Sequence, residues 1–248
     1  MPSDIKVVGK TVDRKPISFD PVLSRDNPSK RYRSLLKEYK AMHDSGHKIF
    51  NGRSLVKFIG YIKNFLKDND CKTLLDYGCG KGHLYMEEHY ESVTDLLKEP
   101  LPALWNLDSY YLYDPGYEDF KVLPTEKYDA VICTDVMEHV PEEDLGWVIE
   151  EIFSHAKKMV FLNVACFKAL KTFKDGTNVH VSIFHHQDWL QFLAHESQKH
   201  KDLTIYPFFD GFFKGDVDHV LTQGYQIDSY PRIIQFKEED EEECQEKD

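Results

Sequence analysis

No stretch of the chain approaches the roughly 20 consecutive apolar residues that a membrane-spanning helix needs, and the amino terminus MPSDIKVVGK lacks the apolar core of a secretory leader. The five cysteines, Cys71, Cys79, Cys133, Cys166 and Cys244, are odd in number and have no C-x-x-C spacing, so neither a disulfide framework nor a thiolate zinc site is indicated. Together these absences point to a cytoplasmic protein without a membrane partner. Hydrophobic periodicity is missing from residues 1–30, where Pro16, Pro21 and Pro28 predict an extended arm that could cover a site. An excess of positive charge is missing as well. The net charge is −12, and eight acids against one lysine in Glu238–Asp248 predict a disordered, solvating tail.

What is present suits one large α/β domain. The 248 residues can bury a real core, and 41% hydrophobic with 30% charged residues is ordinary for a globular chain. Arg31–His43 carries Tyr32, Leu35, Leu36, Tyr39 and Met42 on one helical face and should end near Gly46. Ser54 is expected to cap a second helix with an apolar stripe from Leu55 to Leu66. Lys30–Lys72 holds eleven Lys or Arg against four acids, which reads as a solvated face or as a patch for an anionic substrate. The chain divides into an arm and lid helix (1–53), a main domain (54–236) and the acidic tail (237–248).

The organising stretch is TLLDYGCGKG, residues 73–82. Three strand-forming residues lead to Asp76, and glycines follow at 78, 80 and 82, a strand-turn-helix in which a ligand can approach main-chain N–H groups. A carboxylate ahead of the glycines would repel a pyrophosphate, whereas the ammonium and sulfonium of S-adenosylmethionine would welcome it. The pattern D-x-G-x-G-x-G resembles the first motif of class I S-adenosylmethionine-dependent methyltransferases. The resemblance covers about residues 54–209 and implies a cofactor held by Asp76, Gly78, Cys79, Gly80 and Gly82.

A helix is predicted over His83–Lys98, then an insertion, Glu99–Leu107, packed on the sheet edge through Trp105. The strand Ser109–Asp114 ends in an acid, and in this fold such an acid receives both ribose hydroxyls of the cofactor. Asp114 stands 38 residues after Asp76, against about 20 in dinucleotide sites, an excess that the insertion explains. Tyr128–Thr134 delivers Asp135 to the carboxyl end of another buried strand, where ligands bind. Pro141 starts a helix, Lys158–Val164 is a further strand and Gln187–Glu196 a further helix. Leu203–Phe209 and Arg232–Phe236 are expected to be closing antiparallel strands. This order predicts a doubly wound, mostly parallel seven-stranded sheet of the Rossmann-like methyltransferase type, with an N-terminal helical extension.

Methyl transfer from a sulfonium is an in-line displacement, so the chain must align donor and acceptor and manage the acceptor's proton. His139, four residues past a central strand, is the candidate base, with helix packing as the plain alternative. Asp135, Glu138, His139 and His180 also make a possible octahedral site for Mg or Mn. The run Asp135-x-x-Glu138-His139 with a later His180 resembles the ubiquinone-biosynthesis O-methyltransferases and the small-RNA 3′-terminal 2′-O-methyltransferases, although here the first acid is Asp rather than Glu. The expected acceptor is a small hydroxylated molecule. An RNA 2′-O-methyltransferase, an NAD-dependent oxidoreductase and a non-catalytic methyltransferase-like binding subunit stand as alternatives. Tyr39 and His43 share a helical face and could form a lid, and His185–His186 reads as a turn before a helix.

Overall fold

The computed structural model describes residues 15–46, 49–213, 220–227 and 233–235. The acidic tail and the first fourteen residues lie outside the described residues. Seven strands form one sheet in the order β2-β1-β3-β4-β5-β6-β7: β1 Thr73–Tyr77, β2 Ser109–Tyr113, β3 Tyr128–Thr134, β4 Ala156–Ala165, β5 Thr204–Phe213, β6 Val220–Ile227 and β7 Ile233–Gln235. The helices are α1 Lys30–Asp44, α2 Ile59–Asp68, the short α3 Tyr90–Val93 and α4 Leu101–Leu104, then α5 Leu145–Ser154 and α6 His186–Ser197. Strands β1 to β5 pair in parallel, and β6 alone runs against its neighbours.

Both faces of the sheet are covered, as a central parallel sheet requires. Alternation along β3 divides the core. Val131 and Cys133 pack with α5 and α6 residues such as Ile149, Phe153 and Trp189, while Ala130 and Ile132 pack with Phe58, Ile62 and Phe65 from the α2 side. From β1 the chain turns one way to β2 and then crosses to β3 on the other side of β1. A switch point of this kind leaves a crevice at the strands' carboxyl ends.

Four expectations change. Leu203–Phe209 belongs to β5, which joins β4 in parallel, and the antiparallel partner is β6, whose Thr-Gln-Gly-Tyr sequence carries little strand patterning. The helix predicted over His83–Lys98 is instead a 3-10 turn at His83–Tyr85 followed by α3. There Tyr85 is tied by its hydroxyl to Asp76, and extended Thr94 accepts the N–H of Leu96 through its side chain, local bonds that compete with a continuous helix. Ser54 does not cap α2. A 3-10 turn, Arg53–Phe58, precedes that helix and starts from Gly52. Lastly, the described part of the arm, residues 15–29, does not line the crevice and lies against α5 and the turn before it, with Asp20 N–H on Glu143 O (3.0 Å), Ser29 N–H on Asp144 Oδ1 (2.9 Å) and Arg25 paired with Glu151.

Candidate functional site

A cavity of about 1290 Å³ opens at the carboxyl ends of β1, β3 and β4, roofed by α1. Its floor is the turn after β1. Gly80, at φ 59°, passes so close to the neighbouring chain that a Cβ there would lie 2.2 Å from the carbonyl oxygen of Phe50. Gly78 likewise leaves no room, because a Cβ would fall 2.3 Å from Val136 of the loop after β3. The glycines therefore serve close backbone approach across the switch point.

Their amides are already occupied. Gly78 and Cys79 donate to Tyr113 O (2.7 and 3.1 Å), Lys81 to Phe50 O (2.8 Å) and Gly82 to Cys79 O (3.1 Å), while Gly80 donates to Asp114 Oδ2 (3.0 Å). The floor thus offers no free amide to a phosphate, contrary to the approach expected from the motif, and no long helix begins behind it. Cys79 packs its thiol in the core with Leu84 and Leu112.

Asp76 ends up 3% exposed, with Oδ2 accepting the Tyr85 hydroxyl (2.8 Å) and Oδ1 without a partner. Burial, with the nearby Asp114 charge adding to it, pushes this carboxyl up to about 7 against the pull of the Tyr85 hydrogen bond. An orphaned buried carboxylate oxygen of this sort is suited to a cationic ligand. Asp114 follows β2 and accepts N–H groups from Gly116 at Oδ1 (2.8 Å) and Gly80 at Oδ2 (3.0 Å). Burial raises it to about 6, and each oxygen retains a lone pair for a hydroxyl. The two acids lie at the ends of adjacent paired strands, as a cofactor with a charged tail and a ribose would need.

Across the cavity, Asp135, His139 and His180 each present a ligand atom, all within 4.8 Å of one another. Asp135 is held in the left-handed region at φ 60°, its N–H on Asn163 O (3.1 Å) and its Oδ2 receiving the Ser54 hydroxyl (2.8 Å). Such backbone strain collects at functional sites, and a short acid tolerates it better than Glu would. His139 Nδ1 lies 2.9 Å from Val179 O, and His180 Nδ1 lies 2.6 Å from Phe167 O. Each carbonyl takes an N–H, which assigns the proton to Nδ1 and leaves Nε2 as the lone-pair nitrogen. Burial depresses His139 to about 4, so the ring is neutral at pH 7.

Glu138 interacts with Asp135 but does not present a ligand atom with the other three. It is 0% exposed, with Oε1 accepting Ala165 N–H (2.8 Å) and Oε2 lacking a regular hydrogen bond. Complete burial and the Asp135 charge push its carboxyl well above the usual range. Its backbone O fixes the loop through Val181 and Ser182 N–H (2.8 and 3.0 Å). Asn178 closes that loop by bonding both Ala169 N and O (3.1 and 2.8 Å) and by accepting the His180 N–H (3.0 Å).

The roof is α1. Tyr39 donates its hydroxyl to Val179 O (2.7 Å) and sits edge-on to His139, with ring centroids 5.2 Å apart. One turn later His43 lies beside Asp114. Sequence patterning missed Ser54 and Tyr85 as partners of Asp135 and Asp76, because neither contact leaves a local signal. His185 caps α6 by accepting Gln187 N–H (3.2 Å), as expected of the turn there.

A family model described as a methyltransferase domain matches residues 46–210, more than half of the chain. No curated protein matches the sequence. With the acid-ended β1, the glycine turn, the orphaned Asp76 oxygen and Asp114 at the adjacent strand end, the chain belongs to the class I S-adenosylmethionine-dependent methyltransferases.

Proposed function

We propose that the protein methylates an oxygen of a small hydroxylated acceptor, with a divalent cation held by Asp135, His139 and His180. The observation that carries this reading is the pair of fixed imidazoles. Both histidines give Nδ1–H to a backbone carbonyl and keep Nε2 for a ligand, an arrangement that orients metal-binding rings and sets their tautomer. A cation there would lower the acceptor hydroxyl's pKa and keep its oxygen in line with the methyl group. On the donor side, Asp76 pairs with the ammonium, Asp114 takes ribose hydroxyls, and the saturated amides of Gly78–Gly82 disfavour NAD.

Calorimetry with S-adenosylmethionine and S-adenosylhomocysteine, followed by Mn titration of the complex, tests the reading. Binding of both cofactor and metal is expected. Failure of a folded sample to bind either nucleoside would overturn the enzyme assignment, and full turnover after chelation would return His139 Nε2 to the role of metal-free base. Salt-sensitive RNA binding lost on charge reversal at Lys57, Lys63 and Lys67 would replace the small acceptor with RNA.

A further inference from the structure

The helix that roofs the cavity precedes residues 46–210, so the methyltransferase match does not account for what it contributes. Its last turn places His43 in the wall beside the acid that ends β2, with Nε2 3.6 Å from Asp114 Oδ1 and the ring against Gly116. The ring is wedged between Phe50 and Tyr117, at centroid distances of 4.7 and 5.2 Å, stacked on the latter. Phe50 adopts φ 54°, an uncommon conformation that brings its carbonyl to Lys81 N–H and its ring to His43.

This histidine is 5% exposed, yet among the described residues its Nδ1 has no partner. Burial, with the Lys81 and Lys40 charges in the same sense and Asp44 opposing, lowers it to about 4, so it is neutral at pH 7. A neutral imidazole carries one N–H and one lone pair. With the N–H on Nε2, facing the Asp114 carboxylate, the lone pair falls on Nδ1. A buried acceptor left unpaired is costly, and a bound donor would remove that cost.

We propose that His43 is a cofactor-contacting residue whose Nδ1 accepts a hydrogen bond from the nucleoside that Asp114 anchors. The proposal rests on the reading of Asp114 as the ribose acid. The donors available on that nucleoside are the ribose hydroxyls and the adenine amine. The N-terminal helix thereby belongs to the binding site: Tyr39 secures the Val179 carbonyl behind His139, and His43, one turn on, meets the donor.

The test titrates S-adenosylhomocysteine into the full chain and into His43→Phe, which keeps a ring between Phe50 and Tyr117 but has no nitrogen. H43F should bind about tenfold more weakly while Mn affinity is unchanged, and His43→Asn, whose amide oxygen can accept, should recover most of the loss. Comparing methylthioadenosine with its 2′-deoxy, 3′-deoxy and N6-lacking forms identifies the donor, because the gap between wild type and H43F should close for one of them. Wild-type affinity in H43F, or an H43N as weak as H43F, overturns the proposal. If the variants fail to fold, the 15N resonance of His43 Nδ1 in the wild-type chain must move on ligand addition, and an unmoved resonance overturns it equally. Absence of nucleoside binding by wild type is a different result and sinks the methyltransferase site as assigned.

Discussion

His139 and His180 meet edge to face with ring centroids 4.8 Å apart, each anchored through Nδ1 to a carbonyl of the same loop region, Val179 and Phe167. Neither ring can turn away without breaking that anchor. His180→Ala should lower Mn affinity and turnover by about 10- to 100-fold and leave S-adenosylhomocysteine affinity within about twofold, since the proposed cofactor contacts do not include His180. Metal titration and cofactor titration of the same preparation check both halves.

Ser54 is a smaller test of the same group. Its hydroxyl supplies the hydrogen bond that orients Asp135 Oδ2 (2.8 Å). Ser54→Ala should weaken Mn binding by roughly tenfold with a thermal midpoint within about 2 °C of wild type. A Mn isotherm unchanged from wild type would show that Asp135 is positioned by its backbone alone.

Asp76 predicts a pH signature. Its carboxyl titrates at about 7 in the free protein, chiefly from burial, and only its charged form pairs with an ammonium. Cofactor affinity should level off above about pH 8 and fall below pH 7, approaching tenfold per unit, with proton release on binding near neutrality. The stability of the free protein runs the other way. A carboxyl raised from 3.8 to about 7 leaves stability intact below 3.8 and loses it as pH climbs to about 7. Asp76→Asn should therefore gain on the order of 2–4 kcal/mol at pH 8 while binding S-adenosylmethionine at least about tenfold less tightly, read by urea melts and calorimetry.

Gly80→Ala meets a backbone carbonyl that cannot swing aside, 2.2 Å from the added Cβ. Cofactor binding should be lost, and stability should fall by about 2–4 kcal/mol, because φ is 59° there as well. Gly176→Ala, also at positive φ but with open space around it, is the control and should cost about 1 kcal/mol.

The parts of this site that were legible in the sequence are those encoded by neighbours in the chain. The acid and glycines of residues 73–82, the strand ending at Asp114 and the Asp135–His139 run each carry their geometry within a few residues. Strand β6 was not legible, because Val220–Ile227 is held by pairing on both sides rather than by its own alternation. Nor was the break after Gly82, where Tyr85 reaches back to Asp76 and outweighs a fair helical pattern. The trio was legible only through the family resemblance that joins His180 to the Asp135–His139 run, because the loop closure that brings the second imidazole beside the first leaves no local signal.

Tyr39 also bears on the order in which the molecule is completed. Its hydroxyl bonds Val179 O, 140 residues away in sequence, and His139 Nδ1, 100 residues away. These two bonds of helix α1 cannot form until the loop ending at His180 exists. Contacts of such separation pay their loop-closure entropy late, so the roof should be the last element to settle in folding and the first to release under native conditions. Amide exchange across Lys30–Asp44 should then be faster than across β3 and β4, and slow when a nucleoside binds beneath it.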